Sequence, residues 1–338
     1  MNNKVSEIIL GKIEKNILEN NLIEDNDKIV IGVSGGPDSM CLVHSLILLQ
    51  DKFKEEYNIE YSIVVAHVNH MIREESKYEK VFVENFCKKN NIPFFYLEEN
   101  VEEKSKEYKM SEETYGRKIR YDFFDKIVLE TNATLIATAH NMNDDVETIL
   151  LNIIRGTGLK GLTGMKFKYK NIIRPLLNIE KKDIMLYNDE NNLNPCIDKT
   201  NFENKYSRNK IRNILIPILE NEYNSNIKSS LIRMKKILEN DENFLNNYTE
   251  KIVNNSIIDN NINRLKFEFS NIIDEHESIK NRYIRKIIEL RCGNLDGIGN
   301  IHISDILELL KNNIKGKKYI IGNKFTIEII KKNIAIIY

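Results

Sequence analysis

Between residues 28 and 155 the chain alternates two hydrophobic rhythms. Short unbroken apolar runs stand at 28–34 (KIVIGVS), 61–68 (YSIVVAHV), 93–97 (PFFYL) and 134–139 (TLIATA). Between and after them, 38–54, 75–90, 111–130 and 144–155 carry apolar residues at helical spacing. Ser111 is placed to cap the third of these helices, with Glu113 and Thr114 in its first turn. Runs without alternation predict strands buried on both faces, and the intervening helices predict βαβ units. The expected fold class is α/β, a parallel sheet with helices on both faces. In such sheets the site lies beyond the carboxyl ends of the strands.

The rhythm changes after residue 155. GTGLKGLTG (156–164) reads as a glycine-rich loop and not as a regular element, requiring positive φ or close backbone approach. Helical periods then dominate, at 180–191, 207–220, 227–245, 276–290 and 301–312. The Asn-rich stretch 254–263 (NNSIIDNNIN) reads as loop. The tail 317–338 alternates apolar and polar residues around Gly322–Asn323 and Lys332–Asn333, which predicts a small β-meander. The second part is therefore expected to be mainly helical with a small C-terminal β element. The boundary is placed between 217 and 218, giving domains 1–217 and 218–338.

Composition excludes several classes. Of 338 residues, 41% are hydrophobic and 30% charged, which disfavours a disordered or fibrous chain. No apolar run approaches the roughly 20 residues needed to span a bilayer. Residues 1–21 are charged throughout and read as an amphipathic helix instead of a signal peptide, so a cytoplasmic location with no membrane partner is expected. Cys41, Cys87, Cys196 and Cys292 are far apart, without CxxC or metal-type spacing, and read as reduced thiols.

The net charge of zero conceals a division. Residues 1–150 hold 18 Lys+Arg against 28 Asp+Glu, whereas 151–338 hold 32 against 22. The excess concentrates at 151–180, with six basic residues and one acidic, and at 311–338, with seven and one. A basic second half points to a polyanion partner, or simply to solvated lysine.

Four motifs fall at expected strand ends. Ser34-Gly35-Gly36-Pro37-Asp38-Ser39 follows the first strand and opens a helix, where converging N–H groups and the helix N-terminus form a phosphate cradle. No lysine follows as in kinase-like loops. Asp38 would repel phosphate unless Mg²⁺ lay between them, so Asp38 is the candidate metal ligand. His67-Val68-Asn69-His70-Met71-Ile72-Arg73 ends the second strand; His67 and His70 are candidates to polarise a base or nucleotide, and Arg73 to reach phosphate. Arg117, Arg120 and Tyr121 share one helical face at i, i+3, i+4, suited to clamping phosphate or to a solvated basic face. His140 precedes Asp144 and Glu147, which stand three apart at a helix start. Such a pair can hold an ammonium group or take its proton, or it can simply complement the helix dipole.

Taken in order, SGGPDS, HVNHMIR, GRKIRY, HNMNDDVET, RGTGLKGLTGM, RPLL, CIDKTN and YSRNKIR resemble the motifs of tRNA(Ile)-lysidine synthetases, a branch of the PP-loop ATP pyrophosphatases. The resemblance is strong over 28–217 and weaker beyond. It implies a PP-loop, adenine-nucleotide alpha-hydrolase-like domain over 1–217 and a tRNA-binding domain over 218–338. It implies that ATP adenylates the C2 carbonyl oxygen of the wobble cytidine in a CAU-anticodon tRNA(Ile). The ε-amine of L-lysine then displaces AMP. By motif position, Ser34 to Ser39 and His67 would bind ATP with Mg²⁺, and Asp38, Arg117, Asp144 and Glu147 would be catalytic. Asp144, Glu147, His140, Arg120, Lys160, Arg208 and Arg212 would contact substrate. A homodimer is left open.

Three positions depart from the family pattern: Gly116 for alanine, Met71 for glycine and Asp145 for glutamine. Asp145 is expected to add negative charge beside the amine pocket, and Met71 to reshape its turn. The further C-terminal domain that some members carry is not expected here. The alternatives weighed are a PP-loop tRNA cytidine thiolase, which commonly uses clustered cysteines, and a non-catalytic nucleotide- or tRNA-binding protein.

Overall fold

The chain begins with α1 (Val5–Glu19), whose buried stripe Ile9, Ile13, Asn16 and Ile17 repeats at helical spacing. There follow β1 (Lys28–Gly32), α2 (Pro37–Tyr57), β2 (Ser62–Asn69), α3 (Ser76–Lys89), β3 (Phe94–Glu98), α4 (Val101–Glu107), α5 (Glu112–Thr131), β4 (Leu135–Ala137) and α6 (Met142–Arg155). After α7 (Leu159–Leu162) come β5 (Lys168–Tyr169), β6 (Ile172–Ile173) and α8 (Lys181–Glu190). This computed structural model describes residues 5–71, 76–196, 207–322 and 324–338, and separates into units 1–236 and 237–338.

In the first unit six strands form one sheet in the order β3-β2-β1-β4-β6-β5. Every pairing is parallel except the β5–β6 hairpin at the edge. Alternate residues of β1 serve opposite faces. Ile29 and Ile31 join α1, α2 and α8 in one apolar cluster, while Val30 meets Phe123, Phe124 and Ile127 of α5 in another. The period of two thus covers the sheet on both sides. Because the strands run parallel, the ends of β1, β2 and β4 open on one edge, where the next helices start.

The chain resumes with α9 (Ser207–Lys210), a wider helical stretch at Ile211–Leu215, α10 (Ile216–Ile218), a second wide stretch at Leu219–Tyr223, and α11 (Ile227–Ser256). The second unit holds β7 (Ile257–Asn260), β8 (Leu265–Glu268), α12 (Glu277–Cys292), α13 (Asn300–Asn312), β9 (Lys318–Ile321), β10 (Phe325–Lys331) and β11 (Ile334–Ile337). Its strands form an antiparallel sheet ordered β7-β8-β11-β10-β9, packed with Tyr283, Ile284, Ile287, Ile303 and Ile306 of the two helices. Among the described residues no helix is long and apolar enough to cross a membrane.

Several local expectations are corrected. The glycine loop contains one helical turn, α7, around which Asn152 Nδ2 donates to the Gly161 carbonyl at 2.8 Å. Of the Asn-rich stretch, 254–256 end α11 and 257–260 form β7, whose pairing with β8 overrides the poor strand propensity of Asn, while 261–263 remain a loop. The helix read as 227–245 continues to Ser256. Helix α4 was not anticipated; Asn100 caps it by accepting from the Glu103 N–H at 3.2 Å.

Candidate active site

The cradle begins where β1 turns into α2. Gly35 has φ +86°, a left-handed conformation that favours glycine. Gly36 caps α2 without a side chain and Pro37 follows in the first turn. The turn is cross-braced: the Ser34 N–H donates to Ser39 Oγ at 3.1 Å, and Ser39 Oγ–H donates to the Gly36 carbonyl at 2.9 Å. The Cys196 N–H donates to the Gly35 carbonyl at 2.9 Å. The result is a fixed curl at a helix N-terminus, the arrangement that receives a phosphate group.

Asp38 stands at the start of α2, and the end of β4 brings a second set of groups to it. Asn141 Nδ2 donates to Asp38 Oδ1 at 3.0 Å, and Lys181 Nζ from α8 donates to Oδ2 at 2.5 Å. Burial pushes the Asp38 carboxyl up from its usual value, and Lys181 pulls against that. Asn141 also starts α6 through a capping box, accepting from Asp144 N–H while Asp144 accepts from its own N–H. Asn141 therefore ties Asp38 to Asp144.

Asp144 and Glu147 converge on one cation. Arg212 donates from Nε to Glu147 Oε1 at 2.5 Å, and from Nη2 to Glu147 Oε2 at 3.1 Å and Asp144 Oδ1 at 3.0 Å. Burial raises the Glu147 carboxyl, opposed by Arg212. Arg208 reaches Thr148 Oγ1 at 3.4 Å, one residue further along α6.

The third wall is cationic. Arg117 lies over the Tyr121 ring, 4.9 Å from its centroid, and donates to its hydroxyl at 3.4 Å. Arg120 Nη2 is 3.5 Å from His70 Nε2. His140 shares a hydrogen bond of 2.9 Å between Nδ1 and Thr138 Oγ1. Burial, together with Arg174, Arg117, Arg208 and Arg120, lowers His140 to about 3; burial and then Arg120 lower His70 to about 4. Both imidazoles are held neutral in a positive field, and His70 Nε2 accepts from Arg120. His67 is buried in β2, its Nδ1–H donating to the Val33 carbonyl at 2.7 Å and its ring stacked on Tyr96. His67 Nε2 is buried and has no hydrogen-bond partner among the described residues.

A PP-loop domain family model matches residues 7–219. The tRNA(Ile)-lysidine synthase of Caldanaerobacter subterraneus subsp. tengcongensis is 40% identical over 324 residues, covering 96% of this chain and 67% of that protein. The chain belongs to the tRNA(Ile)-lysidine synthase family. A tRNA(Ile)-lysidine synthase of Clostridioides difficile is likewise 40% identical over 311 residues, covering 90% of this chain and 65% of the relative. The chain thus spans about two thirds of the length of these relatives. A U34-tRNA thiolase from Methanococcus maripaludis, solved with its 4Fe-4S cluster, shares the fold at TM-score 0.53 and 20% identity, covering 70% of this chain and 79% of that one.

Against the lysidine synthase motifs, the structure brings Ser34 to Ser39, Asp38, Asp144, Glu147 and Arg212 to neighbouring strand ends, with Arg117 and Arg208 close enough to lower His140. Lys160 is exposed on α7, and among the described residues no hydrogen bond or ion pair joins its side chain to the other candidates. Arg73, residues 197–201 of CIDKTN and Tyr206 lie outside the described residues. Asp145 does not face the amine pocket. It is buried against Lys235 Nζ at 2.6 Å and the Met165 N–H at 2.7 Å, so its charge is compensated away from Asp144. Gly116 is not sterically required, since an added Cβ would meet only His70 and Val101 at ordinary contact distance, 3.6 Å and 3.7 Å. Met71 does occupy a left-handed turn, at φ +54°.

Sequence reasoning missed Asn141 and Lys181, which hold Asp38, and Arg174, which is 7% exposed and donates from Nη1 to the Lys166 carbonyl at 2.8 Å. Asn141 and Arg174 lie inside quoted motifs, HNMNDDVET and RPLL, and that was their only signal. Lys181 had none. Among the described residues no three His, Cys, Asp or Glu side chains form a self-sufficient metal site. Mg²⁺ carried with a nucleotide needs only one or two carboxylates, the phosphates supplying other oxygens. Asp38, with Asp144 near enough to act on its charge, fits that set.

Proposed function

We propose that this chain is a tRNA(Ile)-lysidine synthase that joins L-lysine to the wobble cytidine of CAU-anticodon tRNA(Ile) at the expense of ATP. The observation that carries this reading is the convergence of the braced cradle, Asp38 and the Asp144–Glu147 pair, tied by Asn141, in a chain 40% identical to such enzymes. The ATP phosphates sit in the Ser34–Ser39 curl at the N-terminus of α2. Mg²⁺ held by Asp38 would neutralise charge on the departing pyrophosphate. The cytidine C2 carbonyl oxygen attacks the α-phosphorus; the new O–P bond forms as the bond to the β-phosphate oxygen breaks, and pyrophosphate leaves with the electron pair. Arg117, braced on Tyr121, faces the charge that builds on the α-phosphoryl group. The lysine ε-ammonium gives a proton to the Asp144 carboxylate; the neutral amine then attacks C2, the C2–O bond breaks and AMP leaves with the electron pair. Asp144 and Glu147 form the pocket that holds the amine.

One feature supports this reading over sulfur delivery by a thiolase. Cys41 and Cys87 are fully buried, and burial pushes the Cys87 thiol up to about 12 and Cys41 higher still, the reverse of an activated thiol. The basic residues of 311–338 lie in the second unit and are proposed to meet tRNA phosphates. The domain assignment proposed is an ATP-binding catalytic part followed by a tRNA-binding part.

The test is incubation of the purified chain with ATP, Mg²⁺, radiolabelled lysine and unmodified CAU-anticodon tRNA(Ile). Label enters the tRNA with release of AMP and pyrophosphate. No label transfer, or transfer that does not need ATP, overturns the reading.

A further inference from the structure

Both oxygens of Asp38 are taken by the chain itself. Asn141 Nδ2 donates to Oδ1 at 3.0 Å, and Lys181 Nζ donates to Oδ2 at 2.5 Å. The two donors differ in freedom. Asn141 is 2% exposed and its own Oδ1 caps α6, so it cannot turn away without uncapping that helix. The Lys181 side chain is 37% exposed and carries one ammonium on a flexible four-carbon stem. Only that stem is free to move, because the Lys181 N–H donates to Asn143 Oδ1 at 3.1 Å. Further along α8, Asn188 Nδ2 donates to the Pro37 carbonyl at 3.0 Å, and the Tyr187 hydroxyl shares a hydrogen bond of 2.9 Å with His44 Nδ1 of α2. Helix α8 therefore has ties to α2 that do not depend on the ammonium. Asp144 and Arg212 also act on the Asp38 charge, from further off and with opposite signs.

We propose that Lys181 is an internal stand-in for the metal ion: it closes Asp38 Oδ2 to Mg²⁺ until nucleotide phosphates draw the ammonium away, so that metal and nucleotide enter together. This rests on the reading of Asp38 as metal ligand given above. Asn141 keeps Oδ1, so Oδ2 is the oxygen that the metal must win. A metal ion binds only the fraction of chains in which Lys181 has let go, and its apparent affinity falls by that fraction. The Ser34–Ser39 curl contains no lysine, but Asp38 belongs to it, so the ammonium stands beside the phosphates and meets there a second anionic partner. The phosphates thus open the carboxylate that takes the cation they carry. The exchange also keeps the Asp38 charge compensated throughout, since a bare carboxylate would repel the phosphates.

The test is equilibrium binding by the full chain, with thermal melting of every variant. Mn²⁺ is the metal probe, read by the paramagnetic resonance of the free ion. The nucleotide probe is α,β-methylene-ATP, which cannot release pyrophosphate, read by calorimetry. Lys181→Met binds Mn²⁺ alone about tenfold more tightly than wild type, Lys181→Arg does not, and Lys181→Met/Asp38→Asn loses the gain. In EDTA, Lys181→Met binds the nucleotide about tenfold more weakly than wild type, because neither cation then stands at the phosphates. With excess Mg²⁺ that difference shrinks to within about threefold. Lys181→Gln, which keeps a polar group at the surface, repeats both patterns. Equal affinity for Mn²⁺ alone in wild type, Lys181→Met and Lys181→Gln overturns the inference, and Lys181 is then only a tie between α8 and α2. A nucleotide loss of the same size with and without Mg²⁺ overturns it as well. A wild-type chain that binds no nucleotide in Mg²⁺ overturns the functional reading, while the comparison in Mn²⁺ alone still decides the role of Lys181.

Discussion

Asp145 and Lys235 form a buried ion pair 2.6 Å long that joins α6 to α11 across the end of the glycine-rich segment. The side chains are 1% and 7% exposed, and Asp145 also accepts from the Met165 N–H. Gly164 beside it has φ +58°, and a Cβ there would lie 2.3 Å from Asp145 Oδ1. Removing one member of such a pair leaves the other charge stranded, so Lys235→Met lowers stability by about 3 kcal/mol. Adding Asp145→Asn removes the charge and keeps an acceptor for Met165, so the double variant recovers most of the loss. Urea unfolding reads both; a double variant no better than the single contradicts this account.

Asp38 is bound on one side by Asn141 and on the other by Lys181. Asp38→Ala lowers AMP and pyrophosphate release by about 100-fold or more, while tRNA affinity measured by filter binding stays within about twofold. Turnover near wild type would remove Asp38 from the metal role.

His70 and His140 are held at about 4 and about 3, below the ordinary 6.5, by burial first and nearby arginines second. Between those values and 6.5 the folded chain binds fewer protons than the unfolded one. Their contribution to stability is therefore complete above about 6.5 and is lost as pH falls towards 4. Melting temperature between pH 7 and pH 4 measures this, and His140→Gln makes the fall shallower. An unchanged pH profile in that variant excludes His140 as a source.

Met71 holds φ +54° on an exposed turn where the family pattern has glycine. A left-handed non-glycine residue costs about 1–2 kcal/mol, against which glycine's extra chain entropy weighs about 0.4–1. Met71→Gly accordingly raises stability by about 0.5–1 kcal/mol, read as an increase in urea midpoint without a change in slope. A decrease would mean that the Met side chain contributes packing that outweighs the strain.

The basic tail divides into free and paired lysines. Lys318 sits 3.0 Å from Glu328 and 3.3 Å from the Tyr338 hydroxyl, whereas Lys315 and Lys317 are exposed and form no ion pair among the described residues. Lys315→Glu/Lys317→Glu weakens binding to all tRNAs alike and lowers the salt slope by about two, because lysine contacts to phosphate carry no sequence information. Unchanged affinity would move the RNA track to residues 160–174 or elsewhere.

Much of the site was legible because its residues sit next to elements that the sequence pattern already predicts. Ser34 to Ser39 follow a strand and open a helix, and Asp144 and Glu147 share a helix face; both relations are local. Arg117 and Tyr121 meet at the expected i, i+4 spacing. Lys181 was not legible, because its pairing with Asp38 spans 143 residues and nothing in NIEKKD marks it. Asp145 was misread for the same reason. Its place next to Asp144 in sequence put it at the pocket, but successive helix residues point about 100° apart, and Lys235 waits on the other side.

The sequence by itself determined the parallel sheet, the order of motifs along its carboxyl edge and the acidic-to-basic division, since apolar period, helix starts and charge are properties of neighbouring residues. Only the tertiary structure decided which cation faces which carboxylate: Lys181 on Asp38, Arg212 on Asp144 and Glu147, and Lys235 on Asp145. Those pairings join residues 65 to 143 positions apart. They are set by which helices the hydrophobic core brings together, and a linear pattern does not encode that choice.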